Sequence, residues 1–168
     1  PLKDVVVLDM GTFITGPAAG MLLADLGADV IKIEQTGSGD PYRAFKGGLY
    51  STHFQTYNRN KRSITLNTKD PADLAAFDAL VNRADVFIQN FRPGVAERLS
   101  VAPERLRSIN PRLIYCSITG FGPDGPDRDR PAFDTVAQAA TGFLRLLLNP
   151  RHPRVVGPAI ADAMTGFY

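Results

Sequence analysis

VVVLDMGTFITGPAAGMLLADLGADVIKIE, the run from Val5 to Glu34, decides the fold. Val5 to Leu8 is short, apolar and rich in β-branched residues, with Asp9 and Gly11 closing it, as expected of a buried strand. Gly16 to Leu26 is dense in Ala, Leu and Met and reads as a helix. Val30 to Ile33 is a second strand that ends at Glu34. Strand, helix, strand in so few residues is the unit of a parallel sheet, because parallel neighbours need a crossover between them.

The same alternation continues outward. A polar loop follows Glu34, with Gly37, Gly39, Pro41, Gly47 and Gly48 as breakers. Ser63 to Leu66 is a third strand. Asp70 is placed to cap a helix that has Pro71 in its first turn, and Leu74, Phe77, Val81 and Ala84 fall on one face at helical spacing. Val86 to Ile88 is a strand, followed by Asn90-Phe91-Arg92-Pro93-Gly94 and a short helix through Leu99. Pro103 to Ile109 makes another short helix, Leu113 to Ile118 a further strand, Gly120 to Pro131 a loop, and a last helix starts near Asp134. The expected class is therefore α/β, a parallel sheet with helices on both faces. Ligands gather at the carboxyl ends of such strands. That singles out Asp9–Pro17, Glu34–Asp40, Asn90–Gly94 and Thr119–Asp134.

The chain has 168 residues, 44% hydrophobic and 21% charged, enough for one domain with a real core. Nineteen basic and 17 acidic residues leave a net charge of +2, which does not point to nucleic acid. No apolar run approaches the roughly 20 residues of a membrane helix, so no membrane partner is expected. One cysteine, Cys116, excludes an internal disulfide framework and suits a cytoplasmic location. Cys116 sits in the apolar run Leu113–Ile118 and reads as a core residue rather than a nucleophile. His53, His152 and Cys116 lack the spacing of zinc ligands, and no metal is expected.

Four motifs carry chemistry. Gly11, Gly16 and Gly20 follow the first strand without the spacing of a dinucleotide or nucleoside-triphosphate loop. They serve either close packing or the approach of an anion to the helix start. Asn58-Arg59-Asn60-Lys61-Arg62 places three cations in four residues, beside Phe54 and Tyr57, which is either a solvated surface run or a place for a phosphorylated adenosine. Asn90-Phe91-Arg92-Pro93-Gly94 and Arg98 are either a turn or an aromatic–guanidinium set suited to a base and its phosphate. Asp134 and Asp162 are the carboxylates least like ordinary surface. Asp162 lies among Ala159, Ile160, Ala161, Ala163 and Met164, either as a helix cap or as a group with a tuned pKa.

Taken in order, these segments resemble the class III coenzyme A transferases, the CaiB/BaiF family. The carriers are Val7-Leu8-Asp9 with Gly16-Pro17, the run Leu26 to Glu34, Gly37-Ser38-Gly39-Asp40 and Asn60-Lys61-Arg62-Ser63-Ile64. Asn90 to Gly94, Ser117 to Gly122, Phe133-Asp134, and Asp162 with Thr165-Gly166 complete the set. The resemblance implies the amino-terminal portion of a Rossmann-like, coenzyme A-binding large domain over residues 1–168. It implies a small carboxyl-terminal domain and a closing glycine loop beyond Tyr168, and an interlocked homodimer. It also implies acyl transfer between a coenzyme A thioester and a carboxylic acid, with coenzyme A as substrate and no permanently bound cofactor. Asp162 would be the acyl-carrying nucleophile and Asp134 a possible second carboxylate. Phe13, Asn90, Phe91, Val95 and Arg98 would line the coenzyme A site, with Lys61 or Arg62, and Arg130, near the phosphates. Backbone amides near Asp162 would stabilise the oxyanions. On this reading residues 1–168 alone would not turn over. Two alternatives remain: a racemase of the same superfamily, which uses a His-Asp pair where this chain has Phe133-Asp134, and a catalytically silent acyl-coenzyme A-binding module.

Overall fold

The structure is a computed structural model that describes residues 1–45, 51–152, 154 and 157–168. The breakers Gly47 and Gly48 lie outside the described residues. Five parallel strands form one sheet in the order β3-β2-β1-β4-β5. They are β1 (Val6–Asp9), β2 (Asp29–Glu34), β3 (Arg62–Thr65), β4 (Val86–Gln89) and β5 (Ile114–Ser117). The central pair is in register with Val7 opposite Val86 and Leu8 opposite Phe87. The expected α/β class, a parallel sheet with helices on both faces, is what the chain adopts.

Alternation along the strands divides the core in two. Val7, Val30 and Ile88 point to one face with Ala24, carried by α1 (Thr15–Asp25). Leu8, Ile33 and Phe87 point to the other face. There they meet Phe77 and Val81 of α3 (Pro71–Val81) and Leu106 of α5 (Pro103–Ile109). Asp70 caps α3 through the amides of Ala72 and Asp73, as its sequence position predicts.

Three short helices follow β5 where one was expected: α6 (Asp134–Ala140), α7 (Leu144–Leu147) and α8 (Ile160–Phe167). Gly142, left-handed at φ 75°, ends the first of them. A 3-10 turn at Pro41–Ala44 and α2 (Thr52–Asn58) stand within what reads as loop, and α4 (Val95–Arg98) starts beside β4. No helix among the described residues is long and apolar enough to cross a membrane.

The strand order reverses between β1 and β4, since β2 and β3 lie to one side and β5 to the other. The loops leaving β1 and β4 diverge there and open a crevice at the carboxyl edge.

Candidate active site

The crevice is a cleft of about 460 Å³. Its walls include Phe13 from the β1 loop, Asn90, Phe91 and Arg92 from the β4 loop, and Arg130 and Phe133 ahead of α6. Asp162 enters from α8. Val95 lines it too and also borders a neighbouring cleft with Arg92, Arg98 and Asp129. Phe13, Asn90, Phe91, Val95, Arg130 and Asp162, far apart in the chain, thus share one cavity, whereas Arg98 lines the neighbouring cleft.

Asn90 does structural work here. Its Oδ1 accepts the Thr12 amide at 2.7 Å, and its Nδ2 donates to the Thr12 carbonyl at 2.8 Å and to Thr15 Oγ1 at 2.7 Å. These bonds tie the two diverging loops together, so the start of α1 is already engaged by a side chain. The glycines resolve as packing residues. A Cβ on Gly11 would stand 2.8 Å from the Gly16 Cα, and one on Gly20 would stand 2.9 Å from Asp9 Oδ2.

Asp162 is half-buried in the first turn of α8, and no side-chain hydrogen bond caps that helix from its own N-cap position. Capping is therefore not its role. The cap comes from Asp134, whose Oδ1 accepts the Asp162 amide at 3.1 Å while Gln138 Nε2 donates to its Oδ2. Burial first, and then the facing Asp134 charge, push the Asp162 carboxyl up to about 6. Tyr42 is near enough to feel this carboxylate. Its phenol is raised by burial, then by Tyr57, Asp162 and Asp40. The amides of Ile160, Asp162 and Ala163 already donate to Pro158, Asp134 and Ala159. The expectation of oxyanion donors at Asp162 is corrected to that extent.

Lys61 and Arg62 are a second correction, because neither lies beside the cleft. Lys61 Nζ is 2.7 Å from Asp9 Oδ2, 2.7 Å from the Pro17 carbonyl and 3.0 Å from Asn58 Oδ1. All three of its protons are committed inside the protein. Burial lowers its pKa, against the opposing pull of Asp9. Arg62 opens β3 at the amino end of the sheet and pairs with Asp29 at 2.6 Å. The cations that do border the cleft are Arg92, Arg128 and Arg130. Arg92 donates to the Asp129 carbonyl at 3.1 Å, and the Arg130 guanidinium lies 5.4 Å from the Phe121 ring centre.

A second cleft of about 360 Å³ adjoins the first across Thr12 and Phe91. Leu66 to Lys69, Gln35, Asp40 and Lys32 help to line it. Sequence reasoning singled out Glu34–Asp40 on this wall but missed Lys32 and Leu66 to Lys69, although a lysine inside the apolar strand Val30–Ile33 was a visible anomaly.

The chain matches the family model "CoA-transferase family III" over residues 2–168. It is 43% identical over 172 residues to an acetyl-CoA:oxalate CoA-transferase of Acetobacter aceti, covering 100% of this chain and 44% of that protein. It is 40% identical over 173 residues to a succinyl-CoA:glutarate CoA-transferase of Homo sapiens, covering 100% and 39%. Among solved structures, a CAIB/BAIF family protein from Brucella suis superposes with a TM-score of 0.91 at 38% identity, covering 100% of this chain and 46% of that one. The chain belongs to CoA-transferase family III. It spans less than half the length of these relatives.

Proposed function

We propose that this chain carries the coenzyme A site and the acyl-accepting carboxylate of a coenzyme A transferase. The observation that supports this most is Asp162, a half-buried carboxylate raised to about 6 within a cleft bordered by Arg92 and Arg130. The ionised Asp162 attacks the thioester carbonyl. The carbon–sulfur bond breaks, coenzyme A leaves as a thiolate, and an aspartyl–acyl anhydride remains. The thiolate then attacks the aspartyl carbonyl, which frees the donor acid and leaves an aspartyl thioester. The acceptor carboxylate attacks that thioester, and the expelled thiolate takes the new acyl group and restores Asp162. The overall reaction exchanges one thioester for another of similar energy, so the protein's task is placement, support of the more activated anhydride and the exclusion of water.

The arginines bordering the cleft suit the phosphates, with Arg98 in the neighbouring cleft that shares Arg92 and Val95, and the adjoining cleft offers space for the base. The relatives are named for acetyl and succinyl donors and for oxalate and glutarate, and we take small dicarboxylic acids as the acceptor class. We further take the working form to be a cytoplasmic interlocked homodimer. Against racemisation stands Phe133, which sits at the cleft with no proton to give or take.

The test is Asp162→Asn in the intact protein, assayed for transfer and for coenzyme A affinity. Transfer should fall by about three orders of magnitude or more with affinity kept. Hydroxylamine should trap the native acyl enzyme as a hydroxamate on the Asp162 peptide. An Asn variant of near-native activity would end the aspartyl mechanism, and binding without turnover in the native protein would favour a silent module.

A further inference from the structure

A buried ion pair lines the smaller cleft and is not used by the mechanism above. Lys32 on β2 and Asp40 have side chains only 2% and 1% exposed, and Lys32 Nζ lies 3.0 Å from Asp40 Oδ2. That approach is off the directional line of a hydrogen bond, so Oδ2 is held by charge alone. Lys32 also donates to the Gly11 carbonyl at 2.6 Å. Asp40 Oδ1 accepts the amide of Phe13 at 3.2 Å and that of Tyr42 at 2.9 Å. One pair of charges therefore grips both ends of the Gly11–Phe13 turn.

That turn is strained. Phe13 has φ 60°, the left-handed region, which is unfavourable for a non-glycine residue. Strain of this kind persists only where the surroundings over-determine it. Here it aims the Phe13 ring at the catalytic side, 5.6 Å from Tyr42 and edge-on to Phe133 at 6.1 Å. Sealing two charges in a core is expensive, and an apolar pair of similar volume stabilises a fold as well. A role in placement accounts for the choice. Lys32 and Asp40 line the 360 Å³ cleft, whereas Phe13 lines the 460 Å³ cleft that holds Asp162.

We propose that Asp40, gripped by Lys32, is a positioning residue that couples the two clefts. A portion of the substrate seated against Lys32 and Asp40 tightens the Gly11–Phe13 turn and so fixes the Phe13 ring beside Asp162. The proposal rests on the coenzyme A transferase reading, because it needs one ligand long enough to occupy both clefts.

Hydrogen–deuterium exchange of the intact native protein, with and without saturating coenzyme A, tests it directly. Exchange of the peptide spanning Gly11 to Phe13 should slow about tenfold or more on binding. Asp40→Asn keeps an acceptor for both amides but removes the anion that faces Lys32. In that variant the slowing should disappear, and kcat should fall about 10- to 100-fold while KM for the acyl-coenzyme A donor stays within about threefold. A purely structural role would lower the melting temperature and leave kcat of the folded protein unchanged. Coenzyme A binding with unaltered exchange in the native protein overturns the coupling, even if the variant fails to fold. An absence of coenzyme A binding overturns the proposed function instead.

Discussion

Asp162 and Asp134 face each other with no cation between them among the described residues, and the consequence is a pH dependence that can be signed. On the proposed aspartyl mechanism transfer needs the ionised Asp162, so kcat should rise with pH through about 6 and level off above it. Asp134→Asn removes the facing charge and should move that limb to lower pH. Stability runs the opposite way. The folded Asp162 binds its proton more tightly than the unfolded one, whose value is 3.8. Stability therefore declines as pH rises from about 4 to about 6, and the loss is complete above that window. Asp162→Asn should accordingly stabilise the fold at pH 7 by on the order of 1–2 kcal/mol, discounted for partial exposure, and have little effect at pH 4. Denaturant titration at the two pH values checks this. Lys61 makes the contrasting case. Lys61→Met strands Asp9 as a buried charge and should cost about 3–5 kcal/mol. The coenzyme A affinity of the folded variant should stay native, whereas a large loss of affinity would return Lys61 to the phosphate site.

At the scale of elements, the seat of α8 on α1 determines where Asp162 stands. A Cβ on Gly166 would come within 2.6 Å of both Ala18 Cβ and the Thr15 carbonyl. Gly166→Ala must therefore lift α8, one turn beyond Asp162. We expect a destabilisation of about 1–3 kcal/mol and a fall in kcat larger than that loss explains. A variant with native denaturation and native kcat would show that α8 is not seated this way. β1, β2, β4, α1, α3 and α5 were legible because their apolar pattern faces the core, and β5, expected at Leu113–Ile118 and observed at Ile114–Ser117, was legible from its apolar run although none of its residues is buried. The third strand was expected at Ser63–Leu66, one residue beyond the observed Arg62–Thr65, because every residue of that edge strand is exposed and no buried face sets its limits. Likewise α2 buries only Phe54 and α7 buries nothing, so neither leaves a periodic trace. Asn90, Phe91 and Asp162 could be singled out in the sequence because short motifs carry them, and the structure brings them to one cleft. The error at Lys61 has a physical origin. A run of cations does not reveal which member is consumed by a carboxylate 52 positions away.

For the whole molecule, the reversal of strand order places both clefts and the arginine strip on one edge of the sheet. The proposed ligand runs along that edge, with its reactive end at Asp162 and its charged end toward Arg98. Arg98 is exposed and makes no ion pair among the described residues, so its guanidinium is available to an outside phosphate. The site around Asp162 remains open to water, since Phe133 at its mouth is 68% exposed. An acyl anhydride left there would hydrolyse. Residues 1–168 alone should for that reason bind coenzyme A without sustaining transfer. The charged end can be tested independently of turnover. Arg98→Ala should weaken coenzyme A about tenfold, the scale of one charge-assisted contact of roughly 1.5 kcal/mol. The loss should be smaller for a 3′-dephospho analogue if Arg98 meets the 3′-phosphate, and it should shrink as salt is raised. Calorimetric titration of both ligands at two salt concentrations reads out all three effects. Equal losses for the two ligands would move Arg98 away from the 3′-phosphate, and no loss for either would show that the ligand leaves the strip before reaching it.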